Sequence, residues 1–253
     1  MPLRSDDIAG LDAILHEYAG RYETEAFLAE DPALFMHLVN GTENQETMAF
    51  IASCLSYGSR KQFFPKIRFI LNASGKDIFR WVKDGRFDTD IPDTAGCYYR
   101  LYTCRDMNTL LRTLQMMFVR HGSLGSFVRN NATDGLSAVN AITSFFREHG
   151  SGGIIPKNTS SACKRLCMFM RWMTRSGSPV DLGLWSDFID RRSLIMPLDT
   201  HVMQQANRLN LLSCTTTSMA TALRLTDKMR KIFPDDPLKG DFALFGYGVS
   251  HGH

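Results

Sequence analysis

The residues best suited to chemistry in this chain stand in two stretches. The first is "SLIMPLDTHVMQQANRLNLL", 193–212, where Asp199, Thr200 and His201 follow an apolar run and Pro197. An aspartate there is a natural helix N-cap, its carboxylate accepting backbone N–H groups of the first turn. A carboxylate so held stays ionised and can steady a cation developing beside it. The second stretch is "SSACKRLCMFMRWMTRSGSPVDLGLW", 160–185. Cys163, Leu166, Cys167, Met170 and Met173 form an apolar stripe at helical spacing, and Lys164, Met168, Arg171 and Arg175 fall at i, i+4, i+7 and i+11. Three cations therefore share one helix face. That face is either simply solvated, or it lines a cleft in which Lys164 faces a substrate and the arginines hold phosphates.

His201 and the terminal "SHGH" (250–253) raise the question of a metal, but no third ligand is spaced to join them. His201 is expected to support the helix start or a phosphate, and the terminal histidines to form a mobile tail. The six cysteines (54, 97, 104, 163, 167, 214) contain no C-x-x-C pair. They read as reduced thiols of a cytoplasmic protein without metal or other cofactor.

Helical patterns must position these groups. "TENQETMAFIASCLSYG" carries Met48, Ile51, Ala52 and Leu55 on one face, "DMNTLLRTLQMMFVRHG" opens on Asp106 as N-cap and closes at Gly122, and "TDGLSAVNAITSFFREHG" repeats that design. Further helices are predicted at 6–18, 24–39, 60–72, 76–83, 161–175, 200–212, 216–232 and 239–247. "CYYRLYT" at 97–103 is the best strand candidate, and the turn-rich stretches 84–96 and 149–160 are the expected joints. The fold class expected is all-α, with two helical lobes and a central cleft: 1–58 plus 213–253 in one lobe and 59–212 in the other.

At 253 residues, 44% hydrophobic and 22% charged, the chain is long enough for such an arrangement and has the composition of a globular protein. The formal net charge of +3 permits an anionic partner without demanding one. The opening "MPLRSDDIAGLDAIL" has acids where a signal peptide would carry basic and then apolar residues, and no apolar run reaches the ~18 residues of a membrane span. No membrane partner is expected.

"KRLCMFMRWM … IMPLDTHVMQQANRLNLL" resembles the helix-hairpin-helix (HhH-GPD) DNA glycosylase superfamily, in which a lysine opens the helix after a hairpin and an aspartate precedes the next one. More narrowly, the string "SACKRL…FMRWM…VDLGLW…PLDTHV…DFALFG" is similar to a bacterial family of domains of unknown function. The long spacing between Lys164 and Asp199, 35 residues, resembles the archaeal-type 8-oxoguanine glycosylases. The "ETMAFIASCLSYGSRKQ" stretch is similar, more weakly, to an early glycosylase helix.

The resemblance implies a base-excision glycosylase and AP lyase acting on an oxidised purine such as 8-oxoguanine, with Lys164 as nucleophile and Asp199 as the carboxylate that steadies the cationic sugar and helps deliver the lysine. It implies a base pocket from Trp185, Asp241 and Phe245, although Trp185 suits a core equally well. DNA contacts are expected from Arg60, Lys61, Lys157, Arg165, Arg171, Arg175 and His201, with damaged duplex or single-stranded DNA as partner and a monomer as the working form. The chain departs from the pattern in two places. The hairpin-like stretch 154–175 starts with "IIPKNTSS", which lacks the glycines that usually free backbone N–H groups for phosphate. No four-cysteine cluster follows Asp199, so no iron–sulfur cluster is expected. A protein that binds DNA or RNA without excising a base, and an ordinary helical interaction domain, are the competing readings.

Overall fold

Helices begin where hydroxyl and carboxylate side chains can accept the free N–H groups of a first turn. The computed structural model describes residues 5–251. In chain order the helices are α1 (Ser5–Tyr22), α2 (Leu34–His37), α3 (Thr42–Leu55), α4 (Arg60–Ala73), α5 (Ile78–Lys83), α6 (Phe87–Asp90), α7 (Cys104–His121), α8 (Leu124–Asn131), α9 (Gly135–His149), α10 (Lys164–Thr174), α11 (Thr200–Arg208), α12 (Met219–Ile232) and α13 (Lys239–Ser250). Short 3-10 turns lie at Glu25–Glu30 and Arg191–Ser193, and strands β1 (Cys97–Tyr99) and β2 (Tyr102–Thr103) form one antiparallel hairpin. The fold is all-α apart from that hairpin.

Several boundaries differ from the periodicity, each for a local reason. Asp106 does not cap α7; Thr103 does, and Asp106 completes a capping box at the third helical position. The helix expected over 24–39 is broken, because Pro32 interrupts the chain and Asp31 takes the Ala33 N–H at 2.9 Å. Helix α10 starts at Lys164 rather than 161, since Cys163 stands in the left-handed region (φ +46°). Asn210 (φ +55°) turns the chain just beyond α11, which ends at Arg208 rather than 212. Helix α8, capped by Ser123, and the four-residue α6 were not foreseen.

The chain divides into two compact units. One comprises Met1–Ala29, Asp134–Leu136 and Ser160–His253, the other Glu30–Thr133 and Ser137–Thr159. The divisions therefore fall near 29/30 and 159/160, where the sequence reading placed 58/59 and 212/213. Helix α3 decides the first: Glu46 to Leu55 are all buried, and it packs on α2, α4, α5 and α8, which claims it for the second unit. Of the two expected joints, the helix-free stretch after α9 carries a division, whereas 84–96 lies inside the second unit.

In the first unit α13 packs along α1, and Gly246 permits the approach because a Cβ there would overlap the Tyr22 ring. Helix α10 is buried from Leu166 to Thr174. Among the described residues no helix is long and apolar enough to cross a membrane.

Candidate active site

Two helix starts in the first unit bring Lys164 and Asp199 together. Asp199 is the N-cap of α11, and its Oδ1 accepts the Val202 N–H at 2.9 Å. Lys164 is the first residue of α10, directed by the left-handed Cys163 before it. The bridge between Ser161 and Ser218, with Met219 N–H donating to the Ser160 carbonyl, ties this entry to the start of α12. Lys164 Nζ then stands 2.9 Å from Asp199 Oδ2, with the two side chains 37% and 30% exposed.

The carboxylate thus uses one oxygen as a cap and the other as an ion-pair partner. Burial pushes its pKa up, but Lys164, the Val202 N–H and the nearby His201 outweigh burial and hold it below the ordinary carboxylate value. A cation in the first turn of a helix opposes the helix dipole, and Asp199 supplies the opposite charge that offsets this at Lys164. The pair can hold an amine at an accessible surface, accept its proton, and place negative charge beside a cation forming there.

Around this pair the basic face turns out differently. Arg171 and Arg175 are 3% and 1% exposed and take no part in a solvent-facing surface. Arg171 donates from Nε to Asp181 at 3.2 Å and from Nη1 to Asp241. Arg175 is bound by Asp236 through Nε at 2.9 Å and Nη2 at 2.8 Å, by Glu23 at 2.7 Å and by Asp181. Both guanidiniums lie over the Phe242 ring, 4.5 and 5.4 Å from its centroid. Helical spacing put these arginines on one face; the carboxylates of four other segments make that face interior. Neither is available to a DNA phosphate. The signal for this was present, because "LCMFMRWM" surrounds Arg171 with apolar residues and leaves no polar face to solvate.

The base-pocket candidates fare similarly. Trp185 is buried, edge-on to Phe169 with centroids 5.2 Å apart, and is core. Phe245 packs edge-on against Phe27 and Tyr22 at 5.2 and 5.8 Å. Asp241 is tied to Arg171; its pKa is raised, burial outweighing the neighbouring Arg171 and Lys164 cations. It remains electrostatically close to the Lys164–Asp199 pair. Asp181, Asp236 and Glu23, partners in this network, escaped sequence reading because they are scattered over more than two hundred positions.

The other expected DNA-contact residues are placed as follows. His201 is exposed on the first turn of α11, and Arg165 is half-buried beside Lys164. Lys157, Arg60 and Lys61 are exposed in the second unit, Arg60 facing Glu30 at 3.2 Å. The expected mobile tail is partly ordered: His251 stacks on Tyr247 with centroids 4.1 Å apart, while His253 lies outside the described residues. The glycines missing from 154–161 occur just upstream, where Gly150, Gly152 and Gly153 all have positive φ. A Cβ on Gly152 would overlap the Asp106 backbone, so this turn is pressed against the start of α7.

Residues 31–250 match the family model described as "Protein of unknown function (DUF2400)", and the chain belongs to that family. No curated protein and no solved structure matches the chain.

Proposed function

We propose that this DUF2400 protein is a DNA base-excision glycosylase with AP-lyase activity, acting on an oxidised purine such as 8-oxoguanine. The observation that carries the reading is the accessible Lys164–Asp199 pair, with Nζ and Oδ2 2.9 Å apart. An amine attacks a sugar carbon only when unprotonated, and Asp199 is within reach to take its proton. In the proposed reaction the Lys164 nitrogen bonds to C1′ as the glycosidic bond breaks, the electron pair leaves with the base, and the base takes the proton that Asp199 received from Lys164, which returns the carboxylate to its ionised form. Asp199 balances the positive charge that develops on the sugar, an electrostatic role suited to an ionised carboxylate. Ring opening gives an imine between Lys164 and the sugar, and elimination of the 3′ phosphate follows from it. Extrusion of the base, which costs a few kcal/mol in an intact duplex, favours damaged or mismatched sites.

A second reading, nucleic-acid binding without excision, is favoured by one observation. Asp241 and Trp185, which a base pocket was expected to use, are engaged within the protein. A panel of oligonucleotides, each carrying one lesion, separates the two. Release of a free base from any of them supports the glycosylase. DNA binding without release from any lesion establishes the second reading instead.

A further inference from the structure

A cavity of about 440 Å³ opens in the first unit at the far end of α10 from Lys164. Arg175, just past the helix, lines it, so it lies about 16 Å along α10 from the candidate active site. Its volume suits an organic ligand rather than a bare ion. The walls come from the chain around the end of α1, the turn Arg175–Pro179 after α10, Arg191, and the segment after α12 that runs from Phe233 to Lys239.

The charges around this cavity are unevenly met. On its buried side Arg175 takes both oxygens of Asp236 and Glu23 Oε1, which leaves Glu23 Oε2 without a donor among the described residues. On its exposed side Arg191 meets a neutral acceptor, the Asp235 carbonyl at 3.0 Å, and Lys239 opens α13 as an exposed ammonium. Neither of these two cations is ion-paired among the described residues. The N–H groups of Ser176, Gly177 and Ser178 find no acceptor among the described residues either, and Gly177 stands at φ +77°. Successive free N–H groups about a left-handed residue suit an anion. Ser178 Oγ accepts the Val180 and Asp181 N–H groups at 3.2 and 3.3 Å, which leaves its own O–H to donate. His16 packs on Phe233, ring centroids 4.4 Å apart, and the two give the cavity an aromatic wall.

We propose that this cavity binds a nucleoside monophosphate. The phosphate meets Arg191, Lys239 and the Ser176–Ser178 turn, where charge-assisted hydrogen bonds are strongest. The base lies against His16 and Phe233, and its amino group donates to Glu23. A free phosphate would use the cations but neither the aromatic wall nor most of the volume, and an uncharged nucleoside would leave both cations unmet. The site is separate from Lys164 and Asp199, and the proposal does not depend on base excision.

Equilibrium dialysis of the full chain against radiolabelled adenosine monophosphate is the test, with adenosine, ribose 5-phosphate and inorganic phosphate as competitors. Wild type is expected to bind the nucleotide at least about tenfold tighter than any of the three. Arg191→Ala and Lys239→Ala should each weaken the nucleotide by about tenfold and leave adenosine unchanged. Gly20 lines the cavity, and a Cβ added there meets nothing within 4 Å, so Gly20→Phe fills space at no cost to the helix. That variant should lose nucleotide binding while melting, without ligand, close to wild type. Competition by inorganic phosphate as strong as by the nucleotide itself would reduce the site to an anion site and overturn the proposal. Equal binding of adenosine, undiminished binding by Gly20→Phe, or no binding at millimolar nucleotide would overturn it too. So would loss of binding in Lys164→Gln with Arg191→Ala and Lys239→Ala unaffected, which would put the nucleotide at the candidate active site.

Discussion

Asp199 caps α11 with one oxygen and holds the Lys164 ammonium with the other, at 2.9 Å in each case. Capping and ion pairing are therefore not alternatives at this residue. The cap fixes the carboxylate's orientation, and that orientation leaves the second oxygen toward the amine.

Asparagine keeps a cap but not a charge. Asp199→Asn should keep the cap and lose only the stability that depends on the charge, whereas Asp199→Ala should lose the cap as well, a further cost of about 1 kcal/mol. Base release should fall roughly 100-fold or more in both, because the charge opposite the developing cation is gone. Urea denaturation and a release assay on the same preparations check the split.

The depressed pKa of Asp199 makes a pH-dependent contribution to stability. A carboxylate with a folded pKa below its unfolded one binds fewer protons in the native state, so it stabilises above the unfolded value. That contribution is lost as the pH falls through the folded pKa. The wild type should therefore lead Asp199→Asn in stability by more at neutral pH than at pH 3. A lead that is constant or grows on acidification would contradict the assignment; urea midpoints across the series measure it.

Arg175 is bound by three carboxylates in the interior. Removing one member of a buried ionic cluster leaves the others uncompensated, at a cost on the order of 3–5 kcal/mol. Arg175→Ala should lose that much in denaturant titration, and Lys157→Ala, on an exposed loop, should lose little. Were Arg175 a phosphate ligand on the surface, the two variants would be similarly stable.

Gly246 lets α13 lie against Tyr22 of α1. Gly246→Ala should lower stability by about 1–3 kcal/mol, the range for overpacking a tight contact, although alanine is the better helix former. A rise in melting temperature would show that α1 yields freely.

What could be read from the sequence was the local physics. Gly122 stops α7 at φ +88°, Asp199 caps α11, and the helical periods of α3, α9 and α12 recur in the fold. What could not be read was which polar side chains meet across long separations. Arg171 and Arg175 have the spacing of a basic surface stripe; the apolar run around Arg171 argues for burial, but the partners that make burial tolerable, Glu23, Asp181, Asp236 and Asp241, are brought in by the fold. Trp185 has the composition of a stacking platform but lies against Phe169. The hairpin at 97–103 was visible as an extended segment, yet the exposure of Leu101 at its tip follows from a left-handed Arg100 that no periodicity signals.

Trapping with borohydride tests the central claim most directly. The proposed imine between the enzyme and C1′ is reduced to a stable bond, so protein and DNA should migrate as one species under denaturing conditions. With a duplex carrying the excised lesion or an abasic site, wild type should yield that species and Lys164→Gln should yield none, while still binding the duplex. Equal trapping by Lys164→Gln and wild type would contradict the account, because the amine that forms the bond would then lie elsewhere.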